Sequence, residues 1–200
     1  MLVHRLETPA KPERVVILGR RGFVAGAIAA RLAADSIDTL ALGSQDLDLL
    51  GDGAGTALAD RLRESDALVV VSAIAPCKDI PGLMKNLTMI ASVCAALERV
   101  QPAHLVYVSS DAVYADDANP VNERSCAQPS SLHGMMHAAR ELMLTTAAGD
   151  RLCILRPSLL YGAADPHNGY GPNRFRRLAA EGQDIVLFGE GEEQRDHVLI

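Results

Sequence analysis

The strand-forming run Arg14-Val15-Val16-Ile17-Leu18 leads straight into Gly19-Arg20-Arg21-Gly22-Phe23-Val24-Ala25-Gly26, and the helical stretch Ala27-Ile28-Ala29-Ala30-Arg31-Leu32 follows. No other feature of the chain constrains its fold as much. A buried parallel strand that turns through glycines into a helix leaves the first helical N–H groups uncovered. Without Cβ atoms in the turn, an anion can approach the backbone closely. The pattern predicts a site for a dinucleotide's pyrophosphate, formed by Gly19, Arg20, Arg21, Gly22, Phe23 and Val24. The plainer alternative is a glycine turn that only packs a helix onto a sheet.

Apolar runs without polar alternation recur at 37–42, 67–71, 105–108 and 152–155, the mark of strands buried on both faces. Leu83, Leu87, Ile90, Cys94 and Leu97 recur at helical spacing and predict a long helix over 82–100. A second helix, over 133–148, is closed by Gly149. Alternating elements of this kind give an α/β fold, a Rossmann-like doubly wound parallel sheet. Residues 14–160 are expected to form the dinucleotide-binding domain. Residues 161–200 are expected to begin a small substrate-binding part, with a strand at 185–188 and another apolar run at 197–200 that stops without a turn. The first thirteen residues read as a loose tail.

At 200 residues the chain suits one domain with a small appendage, and its net charge of −6 argues against a general nucleic-acid binder. Cys77, Cys94, Cys126 and Cys153 form no C-x-x-C pair, and Cys94 and Cys153 fall in apolar patterns, so reduced, buried thiols are expected. There is no signal-peptide pattern at the start and no apolar run long enough to span a membrane. A cytoplasmic protein with neither nucleic-acid nor membrane partners is the expectation.

In NAD-binding folds a carboxylate ending the second strand bonds the adenosine ribose. Here that strand ends Leu42-Gly43-Ser44-Gln45, and the first acid, Asp46, comes late. A 2′-phosphate would not be repelled, and Arg20 and Arg21 suit it, so NADP is favoured over NAD. Solvated surface arginines are the alternative. Asp48 could accept a hydrogen bond from the adenine amino group, or simply be solvated.

Several motifs then follow in order: the glycine turn, Asp48-Leu49, Asn86 in the long helix, and Tyr107-Val108-Ser109-Ser110-Asp111-Ala112-Val113-Tyr114. Leu155-Arg156-Pro157-Ser158-Leu159-Leu160-Tyr161-Gly162 and Phe188-Gly189-Glu190-Gly191, with Gln194-Arg195-Asp196-His197-Val198, complete the set. Together they resemble the extended short-chain dehydrogenase/reductases, which include NAD(P)-dependent nucleotide-sugar epimerases, dehydratases and reductases. Within that family the glycine turn is most similar to that of the GDP-fucose synthases, which carry a basic residue at the position of Arg21 and use NADP.

The resemblance implies cofactor contacts at Asp48 and Leu49, with Asn86 holding a water or backbone near the site. It further implies Ser110 on the reacting oxygen, Tyr114 lining the pocket, and Arg195 on a nucleotide diphosphate. A homodimer through the two long helices is implied as well. The chain departs from the family in three places. Ala25 stands where the third turn residue is usually glycine, with Gly26 beside it, and alanine is small enough for close helix–strand packing. Leu159 stands where many relatives have an amide that contacts the sugar nucleotide. His133-Gly134-Met135-Met136-His137 stands where the family has Tyr-x-x-x-Lys, with Gly134 and Glu141 securing the register.

In the family the tyrosine moves the hydroxyl proton, and the lysine bonds the nicotinamide ribose and lowers the tyrosine's pKa. An unperturbed imidazole, at about 6.5, can move a proton without a lysine's help. His133 is therefore the candidate acid/base and His137, one turn on, the cofactor-positioning residue, with at most one of them charged near neutral pH. The expected activity is hydride transfer to or from a nicotinamide on a nucleotide sugar or related hydroxyl compound. The alternative is a catalytically inactive dinucleotide-binding module for sensing or assembly. Zinc is not expected, since His-x-x-x-His lacks the Glu of His-Glu-x-x-His and a third ligand.

Overall fold

A computed structural model of the chain describes Thr8 and residues 10–115, 120–166, 171–187, 189–190 and 196–200. The chain divides into two compact units between Arg156 and Pro157, a little before the boundary read from the sequence.

In the first unit, β1 (Arg14–Leu18), β2 (Asp38–Leu42), β3 (Ala67–Val70), β4 (His104–Val108) and β5 (Leu152–Leu155) form a parallel sheet in the order β2-β1-β3-β4-β5. Its helices are α1 (Phe23–Ala34), α2 (Ala54–Ala59), α3 (Ile80–Leu97) and α4 (Leu132–Ala148). Side chains alternate across a strand, and β1 shows where they go. Val15 and Ile17 pack with Ala25, Ile28 and Leu32 of α1, whereas Val16 and Leu18 face the cluster of Leu58, Ile90, Val93, Ala96, Leu97 and Leu144 from α2, α3 and α4. Both faces are covered, which is why the strands read as continuous apolar runs. The sheet is the doubly wound one expected.

Local chemistry sets the helix ends. Asp79 accepts the Gly82 N–H at 2.7 Å and Pro81 occupies the first turn, so α3 starts ahead of the expected residue 82. Ser131 caps α4 by accepting the Gly134 N–H at 3.1 Å, and Gly149 closes it with φ +54°. By length and composition α3 has a run that could cross a membrane, contrary to the sequence reading. In the fold it is a core helix: Asn86, Ile90, Val93, Ala96 and Leu97 are buried. All four cysteines are free, and the buried one is Cys77; Cys94 and Cys153 are half-buried.

The second unit pairs β6 (Leu159–Tyr161) with β7 (His197–Leu199) in parallel and contains α5 (Gly171–Ala180). The buried Asn173 donates to Asp165 Oδ2 at 2.9 Å, and Arg177 to the Asp165 carbonyl at 2.8 Å. The strand expected at 185–188 is not formed: Ile185, Val186 and Leu187 are irregular and exposed. Among the described residues no strand lies beside them, and an apolar run needs a partner to become a strand. Phe188, Arg195 and most of the expected N-terminal tail lie outside the described residues.

The first unit is pinned below β1 and β3 by a two-toothed ion pair. Arg14 Nε and Nη2 donate to the fully buried Asp66 carboxylate at 2.8 and 2.7 Å, and the Arg63 N–H adds a third bond at 2.7 Å. Burial pushes the Asp66 carboxyl upward, but its bonds to Arg14 and Arg63 outweigh that and hold it below the ordinary range. Asp66→Asn is expected to cost roughly 3 kcal/mol at neutral pH, the low end for breaking a buried pair, because Arg14 keeps some exposure. The stabilisation is present above the unfolded carboxyl pKa of about 3.9 and is lost as pH falls through the lower folded value. Urea unfolding at pH 7 and below pH 3 checks both parts: the gap between variant and wild type closes in acid.

Candidate active site

The glycine turn lies after β1, between β1 and β3, where the strand order reverses; this is where open α/β sheets bind ligands. Gly19 has φ +114°, and a Cβ on it would sit 3.0 Å from Ser72 N, just past β3. Only glycine suits both the conformation and the space. Gly22 caps α1 and offers no side-chain bond to the helix, so the first-turn N–H groups stay available to an anion. Ala25 is buried against the sheet, taking the close-packing position, while Gly26 beside it meets open space. These residues fit a dinucleotide's pyrophosphate.

At the end of β2 the two arginines part company. Arg20 pairs with Asp46 at 3.2 Å, and the same Asp46 oxygen accepts the Gly43 N–H at 2.8 Å. The turn after β2 thus brings the late acid back to the strand end. Arg21 has no carboxylate partner among the described residues and donates to Ser44 Oγ at 3.3 Å. Asp48 accepts the Leu50 N–H at 3.0 Å in a local turn. Leu49 is a core side chain whose carbonyl accepts from Ser92 at 2.8 Å. Asn86 holds backbone: it receives the Ile74 N–H and donates to the Ile74 and Gly82 carbonyls, each at 2.9 Å.

One face of α4 carries the histidines. Their rings meet edge to face with centroids 4.8 Å apart. His133 Nδ1 accepts the Cys77 N–H over a long 3.4 Å, so the neutral ring holds its hydrogen on Nε2. Burial lowers the His133 pKa, and the charge of Asp111 offsets this in part. His137 is buried and shares a 2.7 Å hydrogen bond between Nδ1 and the Tyr107 hydroxyl. Burial, then His133 and Arg140, push its pKa down to about 3, so the ring is neutral at physiological pH. Burial pushes the Tyr107 phenol up to about 12, against the pull of Arg140.

Ser110 lies two residues past β4 and caps a 3-10 turn (Asp111–Val113), accepting the Ala112 N–H and donating to Asp111 Oδ1, both at 3.2 Å. That turn and α4 touch closely. A Cβ at Gly134 would collide with the Ala112 carbonyl oxygen, so glycine there brings His133 down beside the segment that carries Ser110. Tyr114 is buried, and its hydroxyl accepts from Arg156 at 2.8 Å, a bond that supports the strand ends.

Sequence reading passed over the residues that tie the site together. Arg140 is buried one turn beyond His137, donating to the Ser72 carbonyl at 2.7 Å and more weakly to Asn86 Oδ1 at 3.4 Å. Tyr107 and Ser44 were likewise missed as polar contacts. The signal for Arg140 was present: it lies seven residues after His133 and three after His137, on the same helical face as both.

The family model described as the NAD dependent epimerase/dehydratase family matches residues 15–200. A search of curated protein sequences found no match. Among solved structures, UDP-glucose 4-epimerase from Thermotoga maritima with UDP-glucose superposes with a TM-score of 0.78 at 16% identity, covering 93% of this chain and 69% of that one. UDP-glucuronic acid 4-epimerase from Bacillus cereus, in complex with UDP-glucuronic acid and NAD, gives 0.70 at 16% identity, covering 93% and 69%. A dTDP-4-dehydrorhamnose reductase from Clostridium acetobutylicum gives 0.69 at 20% identity over 84% of this chain, which spans 59% of that reductase. Glycine turn, strand order and family match agree: the chain belongs to the NAD-dependent epimerase/dehydratase family.

Proposed function

We propose that this chain performs NAD(P)-linked oxidation, reduction or epimerisation at a hydroxyl-bearing carbon of a nucleotide sugar or a related compound. The packing of α4 on the turn after Ser110 carries the reading. It puts the His133 imidazole beside the segment that carries Ser110, at the same sheet edge as the glycine turn. Gly19, Gly22 and the first N–H groups of α1 would hold a nicotinamide dinucleotide, which when bound would supply the acceptor or donor for the hydride. His133 takes the hydroxyl proton at Nδ1, giving up only its long bond to the Cys77 N–H. Ser110 turns its hydroxyl from Asp111 to the substrate oxygen. Neutral His137, held through Nδ1 by Tyr107, keeps Nε2–H as a donor toward a ribose hydroxyl. The related structures support this reading through their fold and through the nucleotide sugars and NAD they hold. Arg195, proposed by resemblance for the diphosphate, lies outside the described residues.

A second reading, an inactive dinucleotide-binding module, draws on one observation: His137 is tied to Tyr107 rather than carrying a lysine's charge. The pH profile separates the two. Because burial lowers the His133 pKa, its base form prevails at neutral pH. Hydroxyl oxidation should gain rate as pH rises through a value below the ordinary imidazole pKa of about 6.5, and carbonyl reduction should lose rate over that same limb. His133→Phe is expected to lower kcat about 10²–10⁴-fold and abolish the limb. Cofactor bound by the wild type without turnover in either direction would favour the module.

For the cofactor we favour NADP, on the pairing of Arg21 with Ser44. The return of Asp46 to the end of β2 supports NAD instead, and its pairing removes Arg20 from the argument. With NADP, Arg21→Ala raises the NADPH Kd at least about tenfold, or ~1.4 kcal/mol, leaves NADH unchanged, and exceeds the effect of Arg20→Ala in calorimetric titration.

A homodimer through α3 and α4 is supported by exposed Met84 on one helix and by exposed Met135 and Leu142 on the other. Leu142→Glu should shift sedimentation from dimer to monomer without changing the melting profile of the monomer's core.

A further inference from the structure

Arg140 is the least explained group in the first unit. It is 1% exposed, yet among the described residues no carboxylate lies within ion-pair distance of it. Its chain neighbour Glu141 is spent elsewhere, accepting from Ser109 at 2.6 Å and from Arg156 at 2.9 and 2.6 Å. What faces Arg140 is uncharged: the Ser72 carbonyl, the Asn86 amide oxygen, the Met136 sulfur at 3.6 Å and the Tyr107 ring, 5.3 Å from Cζ. Its Nε makes no hydrogen bond. A buried cation without a counter-charge is costly, and hydrogen bonds to two carbonyl-type oxygens could be made by a neutral amide.

The position of this charge is informative. Tyr107, which lies under the guanidinium, bonds His137, and His137 stands edge to face with His133. His137 occupies the place of the relatives' lysine, so the site holds a neutral imidazole at that position. The cation sits one helical turn further on, beneath the same cluster.

We infer that Arg140 is a positioning residue that supplies, from inside the core, the positive charge this site no longer carries at position 137. While burial is what chiefly keeps the imidazole neutral, Arg140, seated against the Tyr107 ring, holds the phenol toward His137 and so fixes that hydrogen bond and the imidazole's orientation beside His133. It also projects a positive potential to the sheet edge where an anionic dinucleotide would lie. The groups that set the state of His137 are Tyr107 from β4, with His133 and Arg140 from α4; Asp111 acts on His133 from the 3-10 turn. The inference rests on the enzymatic reading only for its kinetic consequence.

Two substitutions separate charge from scaffold. Arg140→Gln removes the charge and keeps donors for Ser72 and Asn86, whereas Arg140→Lys keeps the charge. The first readout is imidazole NMR of the protein without cofactor. Across a titration from pH 5 to 8 burial should keep the His137 ring neutral in every variant; in the wild type and Arg140→Lys its ring nitrogens should show one tautomer, with Nδ1 bonded to Tyr107, whereas in Arg140→Gln their shifts should move toward a mixture of tautomers. The second is rescue: Arg140→Gln should weaken NADPH or NADH binding about tenfold, and adding His137→Lys should restore it to within about threefold. A folded Arg140→Gln protein whose His137 keeps the single tautomer, and whose binding gains nothing from His137→Lys, overturns the proposal. So does an Arg140→Gln chain that fails to fold with or without His137→Lys, because Arg140 is then a structural strut. If no substrate is turned over by the wild type, the enzymatic reading fails, while the titration and binding results still decide the role of Arg140.

Discussion

The helix that carries both histidines is fastened to the sheet through one carboxylate. Glu141 takes the Ser109 hydroxyl at the end of β4 and both arms of Arg156 at the end of β5, and Arg156 reaches on to Tyr114. These bonds join residues 15 to 42 positions apart along the chain, and all of them are wholly or partly buried, where a charge-assisted bond is strong and its loss costly. They set the rotation of α4 about its axis. Given that rotation, residues at intervals of three and four along the helix, His133, His137 and Arg140, must share the face toward β4 and the loop after β3. Gly134 then lets the helix close onto the turn behind Ser110.

The first unit holds a half-buried guanidinium and a fully buried one at opposite ends of its sheet, and they are treated differently. Arg14, at the start of β1, meets Asp66 in a two-bond pair and serves the fold. Arg140, past the strand ends, meets carbonyl oxygens and an aromatic ring. Parallel strands leave their loops free at the carboxyl edge, and there the chain departs from local satisfaction: Gly19 in a strained conformation, Ser72 with an unpartnered hydroxyl, and Arg140 with an unpartnered Nε. Concentrated departures of this sort suit a binding edge, where bound groups complete the contacts.

Much of this was legible beforehand. The five strands of the sheet and the two long helices follow from apolar periodicity, which is strong when elements are buried on both faces. The glycine turn was readable because its chemistry is local: a positive φ and a close approach leave few residues to choose from. The segment 185–188 misled because apolar content alone does not make a strand. Asp46 misled differently; its distance along the chain hid the turn that returns it to Gly43.

The sequence by itself determined the doubly wound sheet and the place of the glycine turn at its switch point, and its resemblance to the family pointed to His133 and His137 as the residues at the Tyr and Lys positions. These depend on patterns within a few residues, or on their order along the chain. Only the tertiary structure decided what surrounds those residues. It showed that His137 is neutral because it is buried beside Tyr107 and Arg140, that Arg20 pairs with the Asp46 carboxylate while Arg21 bonds the Ser44 hydroxyl, and that Tyr114 serves Arg156. Protonation and pairing depend on burial and on groups dozens of residues away, and these come together only when the sheet assembles.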